Sequence, residues 1–428
     1  MRAFHTTTTL LSLLALPSIT LGYNVKPFKF NLSSRLPHLQ ELVKLTKLPE
    51  TSVLGKAGAG TDLTWLKDRQ KDWINGYDWN KEQIAMNKSS GWLYLGAFTD
   101  EHFRFNHSTV DIGNMTVHFI HQRSSDPNAI PLLLSHGWPG SFYEFNQVIG
   151  PLSNPGGKSN TSFHVVVPSL PGFGFTSPAP PGWTLNDTAD VFNTLLTDVL
   201  GYQSYTATGG DWGCLVTWAL HNNHADHVKA VLYTGLIPQT GPTYDALKAD
   251  PRFADKVDSL SEDQKQRLRD NVIFNTDGFG YFVEQSTRPA TIGLALYDNP
   301  VGQLSWLSQL YLLGDPLKGT PPSTLNNNTI LTSASLYYLT RTFETSVNTY
   351  YQNPGQFWSS MRHAVNRVPM GFAEYLYEVQ YYPEFYLEEV GNLVFHSVHD
   401  RGGHFSALDN PPAYIDDIRT MMGRWYKP

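Results

Sequence analysis

Between residues 205 and 222 the chain passes from Tyr-Thr-Ala-Thr through Gly209-Gly210-Asp211-Trp212-Gly213 into an apolar run that starts at Cys214. Read in order, this is a short strand, a glycine-bracketed turn and a helix. A strand that becomes a helix within so few residues brings the two backbones together, and glycine is the residue that lets them approach. Gly209 and Gly213 supply that room, and the residue held at the apex is Asp211. A strained turn of this kind is a way of presenting a nucleophile. The plainer alternative is a helix N-cap, with Asp211 accepting a hydrogen bond from the first helical turn. A serine nucleophile is excluded, because no Gly-x-Ser-x-Gly occurs in the chain.

The same rhythm recurs around this turn. Apolar runs at 129–135, 163–167, 230–233 and 393–398 read as buried strands, and 115–121 as another. The first two stop at His136-Gly137 and at the Gly/Pro-rich stretch 168–174, which places functional loops at the carboxyl ends of parallel strands. The fold class is therefore α/β. After a leader, four parts are expected: an N-terminal wrap over 23–125, a core over 126–235, a helical lid over 236–367 and the rest of the core over 368–428. The lid segments are broken by Pro300, Pro316, Pro321 and Pro322, with a loop at Asn326 to Asn328. Its Phe279, Phe282, Trp306, Tyr311 and Phe343 suit an apolar pocket as well as ordinary packing.

Composition narrows the function classes. With 428 residues, 41% apolar and 16% charged, the chain can bury a large core. A net charge of −7 gives nucleic acid little reason to bind. Residues 1–22 read as a secretory signal, with Arg2 at the start, an apolar stretch too short to span a membrane, and Thr20-Leu21-Gly22 as a cleavage site. Sequons at Asn31, Asn87, Asn106, Asn114, Asn160, Asn186 and Asn327 fit a secreted glycoprotein without firm membrane association. Cys214 is the single cysteine, so no internal disulfide and no cysteine metal cluster can form, and a buried structural thiol is expected there.

A histidine partner for Asp211 is expected after the last strand, and His404 stands there in the expected loop Asp400-Arg-Gly402-Gly403-His404. The order nucleophile, acid, histidine leaves the acid upstream of His404. Glu374, Glu378, Glu384, Glu388 and Glu389 are the candidates, whereas Asp400 is too close in sequence to reach behind the imidazole.

Four segments carry a specific resemblance: His136-Gly-Trp-Pro-Gly-Ser141, Gly209-Gly-Asp-Trp-Gly213, Tyr281-Phe-Val-Glu-Gln-Ser-Thr-Arg-Pro289 and Arg401-Gly-Gly-His-Phe405. Together they resemble the microsomal-type epoxide hydrolases of the α/β-hydrolase superfamily, in a secreted, fungal-like form. The similarity covers essentially everything after the leader. It implies an α/β-hydrolase core with an N-terminal wrapping domain and an inserted helical lid. The implied reaction converts an epoxide and water to a vicinal diol, a detoxifying step that needs neither metal nor organic cofactor.

The resemblance also implies roles. Asp211 displaces the ring oxygen from a saturated carbon and forms an ester, which divides one hard step into two. Tyr281 and Tyr337 donate to the opening oxygen. The family pattern usually has Trp where this chain has Tyr338, so two adjacent phenols compete for the second place. His404 activates the water that cleaves the ester, and Glu378 orients the imidazole, with Glu374 as runner-up. The N–H groups of Trp138 and Trp212 stabilise the oxyanion, and a cis Trp138–Pro139 bond fixes the loop. A homodimer is neither implied nor excluded.

Two other readings share parts of this pattern. A haloalkane dehalogenase would use the Asp nucleophile but expel a halide, which needs no proton and leaves Tyr281 without a task. A binding protein on the same fold would have no reason to keep Asp211, His404, Trp138 and Tyr281 together.

Overall fold

The computed structural model describes residues 22–54, 59–87, 105–157, 159–355 and 362–428, so that the expected signal segment over 1–22 lies, except for Gly22, outside the described residues. Its strands are β1 (Lys26–Pro27), β2 (His107–Ile112), β3 (Met115–Gln122), β4 (Ile130–Ser135), β5 (Phe163–Pro168), β6 (Tyr205–Gly209), β7 (Val228–Thr234), β8 (Met370–Tyr377) and β9 (Leu393–Gly403). They form one sheet in the order β1-β2-β3-β5-β4-β6-β7-β8-β9. From β5 to β9 all neighbours run parallel, and β1, β2 and β3 add an antiparallel edge through β3 and β5.

Strands β4, β5 and β6 are buried almost throughout, as continuous apolar strands covered on both faces must be. Ser135 of β4 pairs with Gly209 of β6, so the two strands end level and their following loops emerge side by side. Three strands, β1, β2 and β8, are not singled out by the sequence pattern. In β8, Gly371 and Glu374 are poor strand formers, yet the strand is held between β7 and β9. The expected 400–404 loop is in part strand: β9 continues to Gly403 because β8 keeps pairing with it across register shifts, with Tyr377 opposite Gly403.

The sheet is continuous across residue 125, since β2 and β3 belong to the N-terminal stretch. His107 and His118 on these strands share a hydrogen bond of 2.9 Å. The chain continues from His107 Nε2 to the Met86 carbonyl at 3.0 Å and from His118 Nδ1 to Ser169 Oγ at 2.8 Å. Helices Leu36–Leu45, Leu63–Asn75 and Trp79–Asn87 lie outside the sheet. They and the residues flanking them reach the lid: Trp73 Nε1 donates to Ser335 Oγ at 3.1 Å, Tyr77 OH to Thr332 Oγ1 at 3.2 Å, and the Arg35 guanidinium to the Leu339 carbonyl.

Between β7 and β8 the lid contains the helices Glu262–Ile273, Gly280–Thr287, Pro289–Leu296, Pro300–Tyr311, Asn327–Thr340 and Phe343–Gln352. Pro289 and Pro300 open helices, where the missing N–H costs nothing. The Asn326 to Asn328 stretch, expected as a loop, begins a helix instead, because the Asn326 side chain accepts from Thr329 N and caps it. Cys214 is buried. No helix among the described residues is long and apolar enough to cross a membrane.

Candidate active site

Asp211 leaves β6 with φ at +48°, a conformation that costs a residue bearing a Cβ about 1–3 kcal/mol. It occupies the N-cap position of the helix Trp212–Asn223, but its side chain makes no capping hydrogen bond. The carboxylate instead accepts from Trp138 N at 2.6 Å. A hydrogen bond to a charged group contributes roughly 1.5–3 kcal/mol, enough to offset the strain. The N-cap reading therefore fails, and the side chain is turned toward the loop after β4. Close approach explains the glycines: a Cβ on Gly213 would lie 2.0 Å from the Ser135 carbonyl oxygen, and one on Gly137 would lie 2.1 Å from Asp211 Oδ1.

The Trp138–Pro139 bond is cis. Lid and core fix this loop from both sides. Tyr311 OH donates to the Pro139 carbonyl and Tyr337 OH to the Gly140 carbonyl, each at 2.7 Å. Beneath them His136 Nε2 accepts from Leu170 N at 3.1 Å, which requires a neutral ring, and burial pushes its pKa down to about 4. Trp212, the other expected oxyanion donor, is the first residue of its helix, directly after Asp211.

His404 follows β9 and stands between two carboxylates, with Nδ1 2.8 Å from Glu378 Oε1 and Nε2 3.4 Å from Asp211 Oδ2. Burial alone would favour the neutral ring, but the Glu378 and Asp211 charges outweigh it and hold the imidazole well above its usual pKa. Glu378 sits just past β8 with its carboxyl against Gly235, whose missing Cβ leaves the space. Glu374 is engaged elsewhere, with the Arg267 guanidinium and, at 3.4 Å, His396.

Asp211 and His404 open into a cavity whose walls include Leu236, Phe274, Phe279, Phe282, Leu310, Leu313 and Val379. Its amide side chains are committed within the protein: Gln239 donates to Tyr386 OH and accepts from Arg362 N, and Gln380 accepts from Gly241 N. Away from the reacting groups the wall is mainly apolar. Of the lid aromatics, Phe279 and Phe282 line the cavity, Tyr311 holds the loop, Trp306 donates to Gln285 and Phe343 is buried.

Tyr281 lines the cavity with its ring stacked on Trp138, centroids 5.5 Å apart and planes 10° off parallel. Tyr337 turns its hydroxyl to the Gly140 carbonyl, while Tyr338 turns away and donates to Asp298 at 2.7 Å. Two further groups escape sequence reasoning. Glu144 lies in a 3-10 turn with its carboxyl against Gly140, and burial pushes its pKa up to about 8, with His404 opposing and Asp211 adding to the rise. Tyr350 lines the cavity beside Tyr281. Neither belongs to a motif with a spacing of its own; Glu144 lies three residues beyond the quoted His136 to Ser141 segment.

Residues 25–145 match the family described as the epoxide hydrolase N terminus, and residues 130–269 the alpha/beta hydrolase fold. A putative epoxide hydrolase of Stigmatella aurantiaca is 34% identical over 406 residues, covering 93% of this chain and 84% of that protein. The chain belongs to the epoxide hydrolase family. Epoxide hydrolase 1 of Sus scrofa is similar at 29% identity, over 95% of this chain and 90% of that protein. The solved Aspergillus niger epoxide hydrolase superposes with a TM-score of 0.78 at 29% identity, over 95% of this chain and 97% of that one. This α/β-hydrolase core with its N-terminal domain is thus that of an epoxide-hydrolysing enzyme.

Proposed function

We propose that epoxide hydrolysis here proceeds through an ester on Asp211. The observation that carries this reading is the carboxylate itself, held by Trp138 N–H and facing His404 across 3.4 Å inside an apolar cavity. Asp211 attacks a ring carbon and the C–O bond breaks toward the ring oxygen. Tyr281 donates to that oxygen, joined by Tyr337 once its hydroxyl leaves the Gly140 carbonyl, and a proton passes to it from Tyr281 to give the β-hydroxy ester. Burial and the Asp211 charge both keep Tyr281 a neutral phenol, the form able to donate.

Esterification removes the Asp211 charge. One of the two influences that hold a proton on His404 is then gone, so the imidazolium releases that proton to solvent and the neutral ring can take one from water. Glu378 keeps the ring oriented and stabilises the imidazolium that forms. The oxyanion on the former carboxylate falls to Trp138 N–H, already 2.6 Å from Oδ1, and to Trp212 N–H. Water thus cleaves the bond between acyl carbon and oxygen, and the diol leaves. A cavity-facing phenol on the lid favours an oxygen leaving group over a halide, which needs no proton.

A single turnover in oxygen-18 water tests the route. The ester path puts the label in the Asp211 carboxylate and leaves the first diol unlabelled. A labelled first diol with unlabelled protein would refute it in favour of direct attack by water. The signal-like start and the sequons support secretion, and a glycosidase-sensitive mass shift of protein recovered from culture medium checks that part.

A further inference from the structure

Tyr350 sits on the helix Phe343–Gln352 and is 1% exposed. Four aromatic neighbours meet its ring nearly at right angles: Trp212 at 4.7 Å and 88°, Phe282 at 5.1 Å and 81°, Trp138 at 5.8 Å and 90°, and Tyr281 at 6.0 Å and 83°. Packing on four sides fixes the ring, so the core sets where its hydroxyl points. That hydroxyl makes no hydrogen bond of ordinary geometry, and the polar groups that act on it are those of Tyr281, Asp211, Trp212 and Tyr337. An orphaned buried hydroxyl is costly and calls for a reason. The other phenols around the loop and cavity are committed, Tyr337 to Gly140, Tyr311 to Pro139 and Tyr382 to the Gln239 carbonyl.

We propose that Tyr350 is a positioning residue that acts through Tyr281, donating a hydrogen bond to the Tyr281 oxygen as that phenol gives up its proton. The inference rests on the Asp211 ester route proposed above. In the ring-opening step the Tyr281 O–H bond breaks, an O–H bond forms on the former ring oxygen, and the electron pair stays on Tyr281. Tyr350 keeps its proton throughout. The Tyr281 proton is restored from solvent, which receives the proton that His404 sheds once Asp211 is an ester; the proton His404 then takes from water returns it to its starting form. A phenolate in an apolar cavity needs a donor close by, because water cannot solvate it there. Burial, then the Asp211 charge, hold Tyr281 above its usual pKa, whereas the Tyr350 hydroxyl acts in the opposite direction and makes it a better acid.

Tyr350→Phe removes only the hydroxyl. With styrene oxide as probe, rapid mixing should show ester formation slowed roughly tenfold to a hundredfold, the change that one hydrogen bond to a charged oxygen supplies. Ester hydrolysis and the substrate dissociation constant should stay as in the parent. A general packing defect would slow ester formation equally in any background. In Tyr281→Phe, where no phenolate can form at that position, adding Tyr350→Phe should change nothing. Parent-like ester formation in Tyr350→Phe, or equal slowing in both backgrounds, overturns the role of Tyr350. Absence of any ester in the parent enzyme overturns the Asp211 route instead.

Discussion

His404 Nε2 stands 3.4 Å from Asp211 Oδ2, so base and nucleophile face each other directly. The imidazole is thereby tuned for a resting state that carries a proton, and ring opening changes that tuning by turning Asp211 into a neutral ester.

His404→Gln should form the ester and fail to cleave it. We expect the Asp211 peptide to accumulate with substrate mass attached, and turnover to drop by at least about a thousandfold. In the parent enzyme the same intermediate should build up on the acid side. The carboxylates raise the His404 pKa in the resting state; losing one lowers it in the ester, so hydrolysis speeds up as pH rises through that lower value. Quenched-flow mass spectrometry across pH follows the ester fraction; a fraction independent of pH would argue against His404 as the base.

Asp211→Gly and Asp211→Ala both remove the nucleophile and both should be inactive. They differ in a Cβ that the backbone at φ +48° tolerates poorly. Even after the greater freedom of an unfolded glycine is subtracted, the Gly variant should be the more stable by about 1 kcal/mol. Urea titrations of the pair measure this directly, and equal midpoints would mean that the turn is not strained.

Gly137→Ala places a methyl 2.1 Å from the present position of Asp211 Oδ1, so the carboxylate must move off its Trp138 donor. Ester formation should fall roughly a hundredfold, since small misplacements of a reacting group are costly. Overpacking should cost only about 1–3 kcal/mol of stability. A variant with an intact burst of ester would show that the carboxylate does not depend on this contact.

Acid should loosen the joint between the N-terminal strands and the core. Burial lowers the His107 pKa from 6.5 to about 4, and His118 is lowered too. The unfolded chain therefore takes up protons first, and stability drops as pH falls from about 6.5 toward 4. For His107 alone the loss is on the order of 3 kcal/mol. Comparing unfolding at pH 7 and 4.5, His107→Gln should show a smaller drop than the parent.

Sequence pattern made the parallel centre legible, because β4, β5, β6 and β7 are apolar runs ending in turn residues. It missed β8, where Gly371 and Glu374 hide a strand held by its neighbours, and it ended β9 early, because paired glycines look like a loop. In the site, Asp211 and His404 were readable from their glycine flanks. Selecting Glu378 over Glu374 drew on a family likeness, and the geometry that separates them is that Arg267 occupies Glu374. Tyr350 had no chance of being noticed, since its meaning lies in four rings brought together from distant segments.

The N-terminal helices fasten Ser335, Thr332 and Leu339 of the helix Asn327–Thr340 from outside. A roof bolted down at these points cannot double as a door. Traffic of epoxide inward and diol outward is then expected on the side of Leu313, which lines the cavity and is 40% exposed. Which molecules are turned over becomes a question of which ones can slip past that side chain into the apolar cavity.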